Sequence, residues 1–121
     1  MSRRILVVDD HPDNRRILRD LLGSAGFEVL ESTTGEEAVT KAAATVPDLI
    51  LMDIQLPGID GYEATRRIKA SEALRHIPLI VVTSYALSGD DAKALAAGAD
   101  DYVAKPFSPR AMLAKVREYV K

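Results

Sequence analysis

Short apolar runs alternate along the chain with longer stretches of helical periodicity. Residues 5–8, 49–52 and 79–82 form continuous runs, residues 29–30 lie within a weaker segment, and the weak run 101–104 follows a turn at 97–99. Continuous runs of this length, unlike alternating ones, are typical of strands that are buried on both faces. The pattern therefore predicts five strands in a sheet covered by helices.

Helix start signals precede the periodic stretches between these runs. Pro12 suits the first turn of a helix whose apolar side includes Ile17 and Leu18, and Gly23 or Gly26 suits its end. The later start signals are Thr34 and Asp60 with capping-box spacing, a weaker form at Ser88, and Ser108 followed by Pro109.

Five alternations of strand and helix imply right-handed crossovers and an α/β fold with a doubly wound parallel sheet. We predict a flavodoxin-like (βα)5 sandwich of three layers, whose five-stranded parallel sheet has the strand order 2-1-3-4-5. Ligands of such sheets bind beyond the carboxyl ends of the strands, near the point where the strand order reverses. Candidate chemistry is therefore expected at the strand ends.

Composition limits the classes of protein that fit. The chain has 121 residues, 47% of them apolar, and its formal net charge of -2 sets up no field that attracts nucleic acid. We therefore expect a single domain over residues 1–121 without direct contact to nucleic acid. The chain contains no cysteine, no signal-peptide pattern and no apolar run of bilayer length, so we expect no membrane insertion and a cytoplasmic location.

Charged and hydroxyl side chains follow four of the predicted strands. Asp9 and Asp10 end the first strand, Asp53 the third and Thr83 the fourth, while Lys105 follows the fifth. Two carboxylates about 4 Å apart, at an effective dielectric constant near 20, repel each other by roughly 4 kcal/mol, and a divalent cation removes that cost. Oxygen ligands suit Mg2+ or Mn2+, and a metal beside a lysine and a hydroxyl is typical of phosphoryl transfer.

Each of these residues has an ordinary explanation when it is taken alone. An Asp-Asp pair after a strand is often a helix N-cap or simple loop polarity, and a lysine before a proline is often solvated. Scattered surface polarity would not select the carboxyl ends of four strands, so we interpret the set as one site. His11 could touch the metal site, but a loop histidine beside acids is more often simply solvated. Solvation is also the ordinary explanation for the arginines of the first helix, for which a share in docking the kinase stays open, and these are Arg15, Arg16 and Arg19.

The sequence resembles the receiver family of bacterial response regulators over essentially its full length. Six segments occur in the family's order and with suitable spacing, and together they are highly specific. The matching segments are ILVVDD at 5–10, PDLILMD at 47–53, LPGIDG at 56–61, IVVT at 80–83, GADDY at 98–102 and KPF at 105–107.

The resemblance implies a phosphoacceptor beside a magnesium site. Asp53 resembles the phosphoacceptor, whose carboxylate attacks phosphorus to give an acyl phosphate. Asp10 resembles the direct Mg2+ ligand, and Asp9 resembles the acid that acts mostly through water. Asp53 and the backbone carbonyl of Gln55 would supply further ligand oxygens, and Mn2+ would substitute for Mg2+.

The resemblance also implies residues that hold the phosphoryl group and respond to it. Lys105 resembles the lysine that pairs with a phosphoryl oxygen, and the peptide before Pro106 resembles the family's cis bond. Thr83 resembles the switch hydroxyl, and Tyr102 resembles the aromatic residue that turns inward as the hydroxyl moves. We expect the lifetime of the phosphoryl group to be tuned by Gln55, Ser84 and Tyr85.

The function that the resemblance implies is part catalyst and part switch, not that of a conventional turnover enzyme. A histidine kinase or a histidine phosphotransfer protein would donate the phosphoryl group to Asp53. The added charge would favour one of two conformations of the loops after strands four and five. The face formed by helix four, strand five and helix five would then bind a downstream partner.

Three other functions stay open at this point. A pseudo-receiver signals through the same fold without phosphorylation, but it usually lacks one of the acids or the lysine, and none is missing here. A flavin-binding protein needs a neutral loop after strand one, where this chain has acids at positions 9, 10 and 13. A metal-dependent phosphatase fits the site chemistry, although 121 residues leave no room for a cap domain.

Overall fold

Strands and helices alternate strictly in the computed structural model, which describes residues 3–84 and 90–120. The predicted helix start at Ser88 lies outside the described residues. The strands are β1 (Arg4–Val8), β2 (Glu28–Ser32), β3 (Leu49–Asp53), β4 (Leu79–Thr83) and β5 (Asp101–Ala104). The helices are α1 (Pro12–Ser24), α2 (Gly35–Thr45), α3 (Gly61–Ala70), α4 (Asp90–Ala96) and α5 (Pro109–Tyr119).

The five strands form one parallel sheet in the order β2-β1-β3-β4-β5, which confirms the predicted fold. The register pairs Val8 with Met52, and Thr83 with Ala104. Because all strands run in the same direction, the residues that follow β1, β3, β4 and β5 reach the same edge of the sheet. This edge is the one at which the sequence predicts the functional site.

Both faces of the sheet are covered, since successive residues of a strand point to opposite faces. On one face, Leu6 and Ile50 pack with Ile68 of α3 and with residues of α2 and α4. On the other face, Leu51 packs with Leu22 of α1 and with residues of α5. The central strands β3 and β4 are buried throughout, as their continuous apolar runs predict, whereas the edge strands β2 and β5 are half-exposed.

Polar side chains begin most of the helices at the predicted residues. Thr34, Asp60 and Ser108 each accept a hydrogen bond from a backbone N–H three residues later, at 2.9–3.0 Å. Helix α1 ends at Ser24, and Gly26 follows with a φ of +95°, a value that favours glycine. No helix in the described part of the chain combines the length and apolar character needed to cross a membrane.

A close backbone approach fixes the start of α3 against the end of β3. A Cβ atom built on Gly61 would lie 2.1 Å from the carbonyl oxygen of Asp53 and 2.7 Å from the Cα atom of Ile54. The Gly61 N–H also donates a hydrogen bond of 2.8 Å to the Ile54 carbonyl. Only glycine leaves room for this contact, which holds the loop from Ile54 to Asp60 folded back beside Asp53.

Candidate functional site

One lysine bridges carboxylates that come from two different strands. Lys105, which follows β5, places its Nζ atom 3.3 Å from Oδ1 of Asp53 and 3.5 Å from Oδ2 of Asp9. Asp53 is the last residue of β3, and Asp9 directly follows β1. The bridge therefore spans the sheet edge from β1 to β5, as the strand-end residues predict. The Lys105–Pro106 peptide bond beside it is cis.

Burial changes the acidity of the central carboxyl group. Asp53 is 5% exposed and Asp9 is 3% exposed, so both carboxylates are largely removed from water. This desolvation raises the pKa of Asp53 above its ordinary value, the ammonium group of Lys105 opposes the increase, and the charge of Asp9 adds to it. The Ile54 N–H donates a hydrogen bond of 2.9 Å to Oδ1 of Asp53 and fixes its direction.

Four side chains at this edge offer ligand atoms for one cation. Asp9, Asp10, His11 and Asp53 each supply an atom, and these atoms all lie within 4.8 Å of one another. The Oδ1 atom of Asp10 is buried and has no hydrogen-bond partner among the described residues. Such an atom costs about 1–3 kcal/mol when it is left unsatisfied. A divalent cation would satisfy that oxygen and offset the repulsion between the carboxylates, so the residues fit Mg2+ or a similar ion.

The family model for the response regulator receiver domain matches residues 5–117. The chain belongs to this family. The polar-differentiation response regulator DivK of Brucella ovis is 38% identical over 120 residues, which cover 99% of this chain and 98% of that protein. The chain is thus a receiver domain of two-component signalling that resembles DivK.

Solved receiver domains have the same fold. The receiver domain of a sensor histidine kinase from Pseudomonas aeruginosa, solved with a magnesium ion coordinated in its active site cleft, is 39% identical with a TM-score of 0.92. The match covers 98% of both chains. The chemotaxis protein CheY4 of Vibrio cholerae is 26% identical, with a TM-score of 0.93 and coverage of 99% of this chain and 100% of that one.

Three of the remaining predicted residues end or follow β3 and β4, one lies within β5, and one lies outside the described residues. Thr83 ends β4 and is buried, and its carbonyl accepts a hydrogen bond of 2.7 Å from the Lys105 N–H. Ser84 follows it and is exposed. Tyr102 lies in β5, opposite Val81, and packs partly buried against the core on the α3 side of the sheet. Gln55 is exposed in the loop after β3, and Tyr85 lies outside the described residues.

A cavity of about 460 Å3 opens beside Asp53 and Lys105 on the α1 side of the sheet. Its wall is largely apolar and includes Ile17 of α1 and Phe107 of the loop after β5. Ile17 is 50% exposed, although the sequence pattern placed it on the buried side of the first helix. The side chain therefore contributes to the cavity wall rather than to the core.

Two basic residues expected to be simply solvated contact the acidic edge instead. Arg15 is mostly buried; its Nη1 atom donates a hydrogen bond of 2.8 Å to the carbonyl of Asp9, and its Nε atom donates one of 3.2 Å to Glu31. His11 places Nδ1 at 3.0 Å from Oδ1 of Asp10. The sequence feature that could have indicated the role of Arg15 is its position one turn after Asp10-His11-Pro12, on the side of α1 that contacts β2. Arg19 follows on that side and also pairs with Glu31, at 2.8 Å.

Proposed function

We propose that this receiver domain, taken as residues 1–121, accepts a phosphoryl group on Asp53 in a reaction that requires Mg2+. The donor is the phosphohistidine of a histidine kinase or of a histidine phosphotransfer protein. The observation that carries this proposal is the position of Asp53: it is buried, bridged by Lys105 to Asp9, and surrounded by an acidic cluster with a buried unsatisfied oxygen. A purely structural ion pair would not need three carboxylates for one ammonium group.

The chemistry assigned to Asp53 is nucleophilic attack on phosphorus. A carboxylate oxygen forms the new O–P bond while the N–P bond of the donor breaks, and the histidine nitrogen keeps the electron pair and takes up a proton. Lys105 holds a phosphoryl oxygen with the ammonium group that now bridges the two carboxylates. Asp10, Asp53 and the backbone carbonyl of Gln55 would hold the metal, and Asp9 would act mostly through water. The bound dication, Mg2+ or in its place Mn2+, would offset the charge that builds on the transferred group.

The product would act on residues at the ends of β4 and β5. An acyl phosphate adds about one to two negative charges and strong acceptor oxygens, which the hydroxyl groups of Thr83 and Ser84 would approach. Tyr102 would turn inward as Thr83 moves and would change the face formed by α4, β5 and α5, where a downstream partner binds. Side chains that overhang the site would set the rate of hydrolysis, and these are Gln55, Ser84 and Tyr85.

The phosphohistidine donor is expected to dock beside α1. The cavity between α1 and the loop after β5 opens directly next to Asp53, and Ile17 offers it a half-exposed apolar side chain. Apolar side chains of the donor protein would pack against this wall while the phosphohistidine of the donor approaches Asp53. We place the reaction in the cytoplasm, where we expect the donor to be phosphorylated. Direct contact with nucleic acid or insertion into a membrane is not part of this proposal.

The test is intact-mass spectrometry after incubation with acetyl phosphate, a small donor that loses acetate as Asp53 takes its phosphoryl group. The wild-type protein with Mg2+ is expected to gain one labile phosphoryl group. The adduct should be absent from Asp53→Asn and from samples with a chelator. The matched control is Asp60→Asn, since Asp60 is exposed and asparagine caps a helix as well as aspartate. This variant should be phosphorylated like the wild type.

The alternative is a pseudo-receiver that signals without phosphorylation. Circular dichroism and a magnesium titration would show whether the tested protein is folded and binds the metal. A folded, metal-bound protein that gains no phosphoryl group would contradict the proposal and favour the pseudo-receiver. An adduct that persists in Asp53→Asn would place the acceptor at another residue. Nothing in the described part of the chain favours the pseudo-receiver, because the acids and the lysine are brought together.

A further inference from the structure

The side chain of His11 is not used by the helix that it precedes. His11 occupies the N-cap position of α1, yet its side chain makes no capping hydrogen bond. Its backbone N–H instead donates a hydrogen bond of 2.9 Å to Oδ1 of Asp9. This bond turns the chain so that the imidazole ring lies over the acidic edge. The ring is 64% exposed, and its Nδ1 atom faces the carboxylates.

The distances around Nδ1 match those between neighbouring ligands of one metal ion. Nδ1 lies 3.0 Å from Oδ1 of Asp10 and 3.3 Å from Oδ1 of Asp9. In an octahedral shell with bonds near 2.1 Å, adjacent ligand atoms are about 3.0 Å apart. The Asp53 ligand atom completes a group of four within 4.8 Å.

A simple ion pair does not account for the contact between His11 and Asp10. Although Nδ1 lies only 3.0 Å from Oδ1 of Asp10, that oxygen has no hydrogen-bond partner in the described part of the chain. The two atoms are thus close without the direction that a hydrogen bond needs. In this structure Nδ1 instead makes a hydrogen-bonding contact of 3.3 Å with Oδ1 of Asp9. A cation bound between these side chains would replace that contact and would also satisfy Oδ1 of Asp10.

We propose that His11, through Nδ1, is an additional ligand of the metal centre and shifts its preference toward borderline transition dications such as Co2+ and Zn2+. The inference rests on the proposed function, since it concerns the same centre. Imidazole nitrogen adds little to the binding of Mg2+, which prefers oxygen, but strengthens the binding of transition metals. The centre should therefore bind transition dications more tightly, relative to Mg2+, than three carboxylates alone would.

The test compares the dissociation constants of Co2+ and Mg2+, measured by titration calorimetry on the purified full chain. His11→Gln replaces the nitrogen by an amide oxygen and is expected to weaken Co2+ binding about tenfold or more while changing Mg2+ binding by no more than about twofold. The control is His76→Gln, which removes the exposed second histidine of the chain and should match the wild type. The visible spectrum of bound Co2+ should also change in His11→Gln and stay unchanged in His76→Gln.

The same samples separate this inference from the proposed function. Equal ratios of the Co2+ and Mg2+ dissociation constants in the wild type and His11→Gln, with an unchanged Co2+ spectrum, would overturn the role of His11. If those proteins still gain a phosphoryl group from acetyl phosphate and Mg2+, the proposed function stands without it. If His11→Gln selectively loses Co2+ affinity but neither protein gains a phosphoryl group, the role of His11 as a ligand is supported and the role of Asp53 as phosphoacceptor is refuted.

Discussion

Replacing Asp53 by asparagine should stabilise the metal-free protein, although Asp53 is the proposed centre of its chemistry. The substitution keeps the shape of the side chain and leaves an oxygen that can accept the hydrogen bond from the Ile54 N–H. It removes a buried charge that Asp9 and Asp10 repel. A site that is built for a dication should destabilise the fold when the dication is absent.

The distances give the size of this effect. The ligand atoms of Asp9 and Asp10 lie within 4.8 Å of the one on Asp53, so that each repulsion amounts to at least about 3.5 kcal/mol at an effective dielectric constant near 20. The Nζ atom of Lys105 lies 3.3 Å from Oδ1 of Asp53, and on the same scale it attracts the Asp53 carboxylate by about 5 kcal/mol. Repulsion and attraction thus cancel to within about 2 kcal/mol. Burial of the charge, which is the largest cause of the raised pKa of Asp53, therefore decides the sign of the effect. We expect Asp53→Asn to raise the free energy of unfolding by about 1–3 kcal/mol, or the melting temperature by several degrees.

Urea unfolding followed by circular dichroism, with a chelator at neutral pH, measures the difference. The control is Asp20→Asn, the same chemical change at an exposed position of α1, and it should leave the transition almost unchanged. Saturating Mg2+ should then stabilise the wild type more than Asp53→Asn, because the variant has lost the negative charge of one ligand. An Asp53→Asn variant that is no more stable than the wild type without metal would refute the reasoning.

The pH dependence has a defined sign. Burial of the Asp53 carboxyl, together with the charge of Asp9, raises its pKa in the folded protein, whereas the unfolded chain loses this proton near the ordinary value of 3.8. Between these two values the folded state binds more protons, so the free energy of unfolding falls as the pH rises. The advantage of Asp53→Asn should therefore be complete above the folded pKa and should shrink as the pH falls toward 3.8.

Two further results are expected. Gly61→Ala places a Cβ atom 2.1 Å from a backbone oxygen and should lower the urea midpoint, with a cost of about 2–3 kcal/mol. The control is Gly23→Ala in α1, where no atom lies within 4 Å of the new Cβ, and it should raise the free energy of unfolding by up to about 1 kcal/mol. Equal urea midpoints for the two variants would contradict the close approach of Gly61 to the backbone of Asp53. Burial and the hydrogen bond to Asp101 raise the pKa of Tyr119 to about 12. An ultraviolet absorbance titration should show one tyrosine that ionises near pH 12, and Asp101→Asn should move its pKa toward 10.0. A titration in which no tyrosine ionises above its ordinary pKa would contradict the hydrogen bond between Tyr119 and Asp101.

The positions of Asp9 and Asp53 could be predicted because β1 and β3 are central strands that are buried on both faces. Burial forces their apolar runs to be continuous, so the first charged residue marks the carboxyl end of each strand. The edge strands β2 and β5 gave weaker signals because their residues are half-exposed and can be polar without cost. Strand periodicity therefore locates the site better than it locates the whole sheet.

Side-chain directions in the loop after β1 could not be predicted in the same way. His11 and Arg15 looked like solvated residues, because periodicity says nothing about a ring that precedes a helix or about the reach of a guanidinium group. The hydrogen bond from the His11 N–H to Asp9 and the one from Arg15 to the Asp9 carbonyl depend on the packing of α1 against β1 and β2. Ile17 was misplaced for a related reason, since helix periodicity does not show where a neighbouring loop leaves a cavity.

The bridge between Asp9 and Lys105 joins residues that are 96 positions apart. A ribosome adds residues from the N-terminus onward, so the carboxylates leave it long before the ammonium group that pairs with two of them. Until β5 joins the sheet, a nascent chain carries concentrated negative charge on an unfinished edge, and only water and dissolved cations can screen it. Docking of the final strand therefore brings the lysine to the edge and offsets part of its negative charge, so that a partly synthesised chain lacks the assembled site.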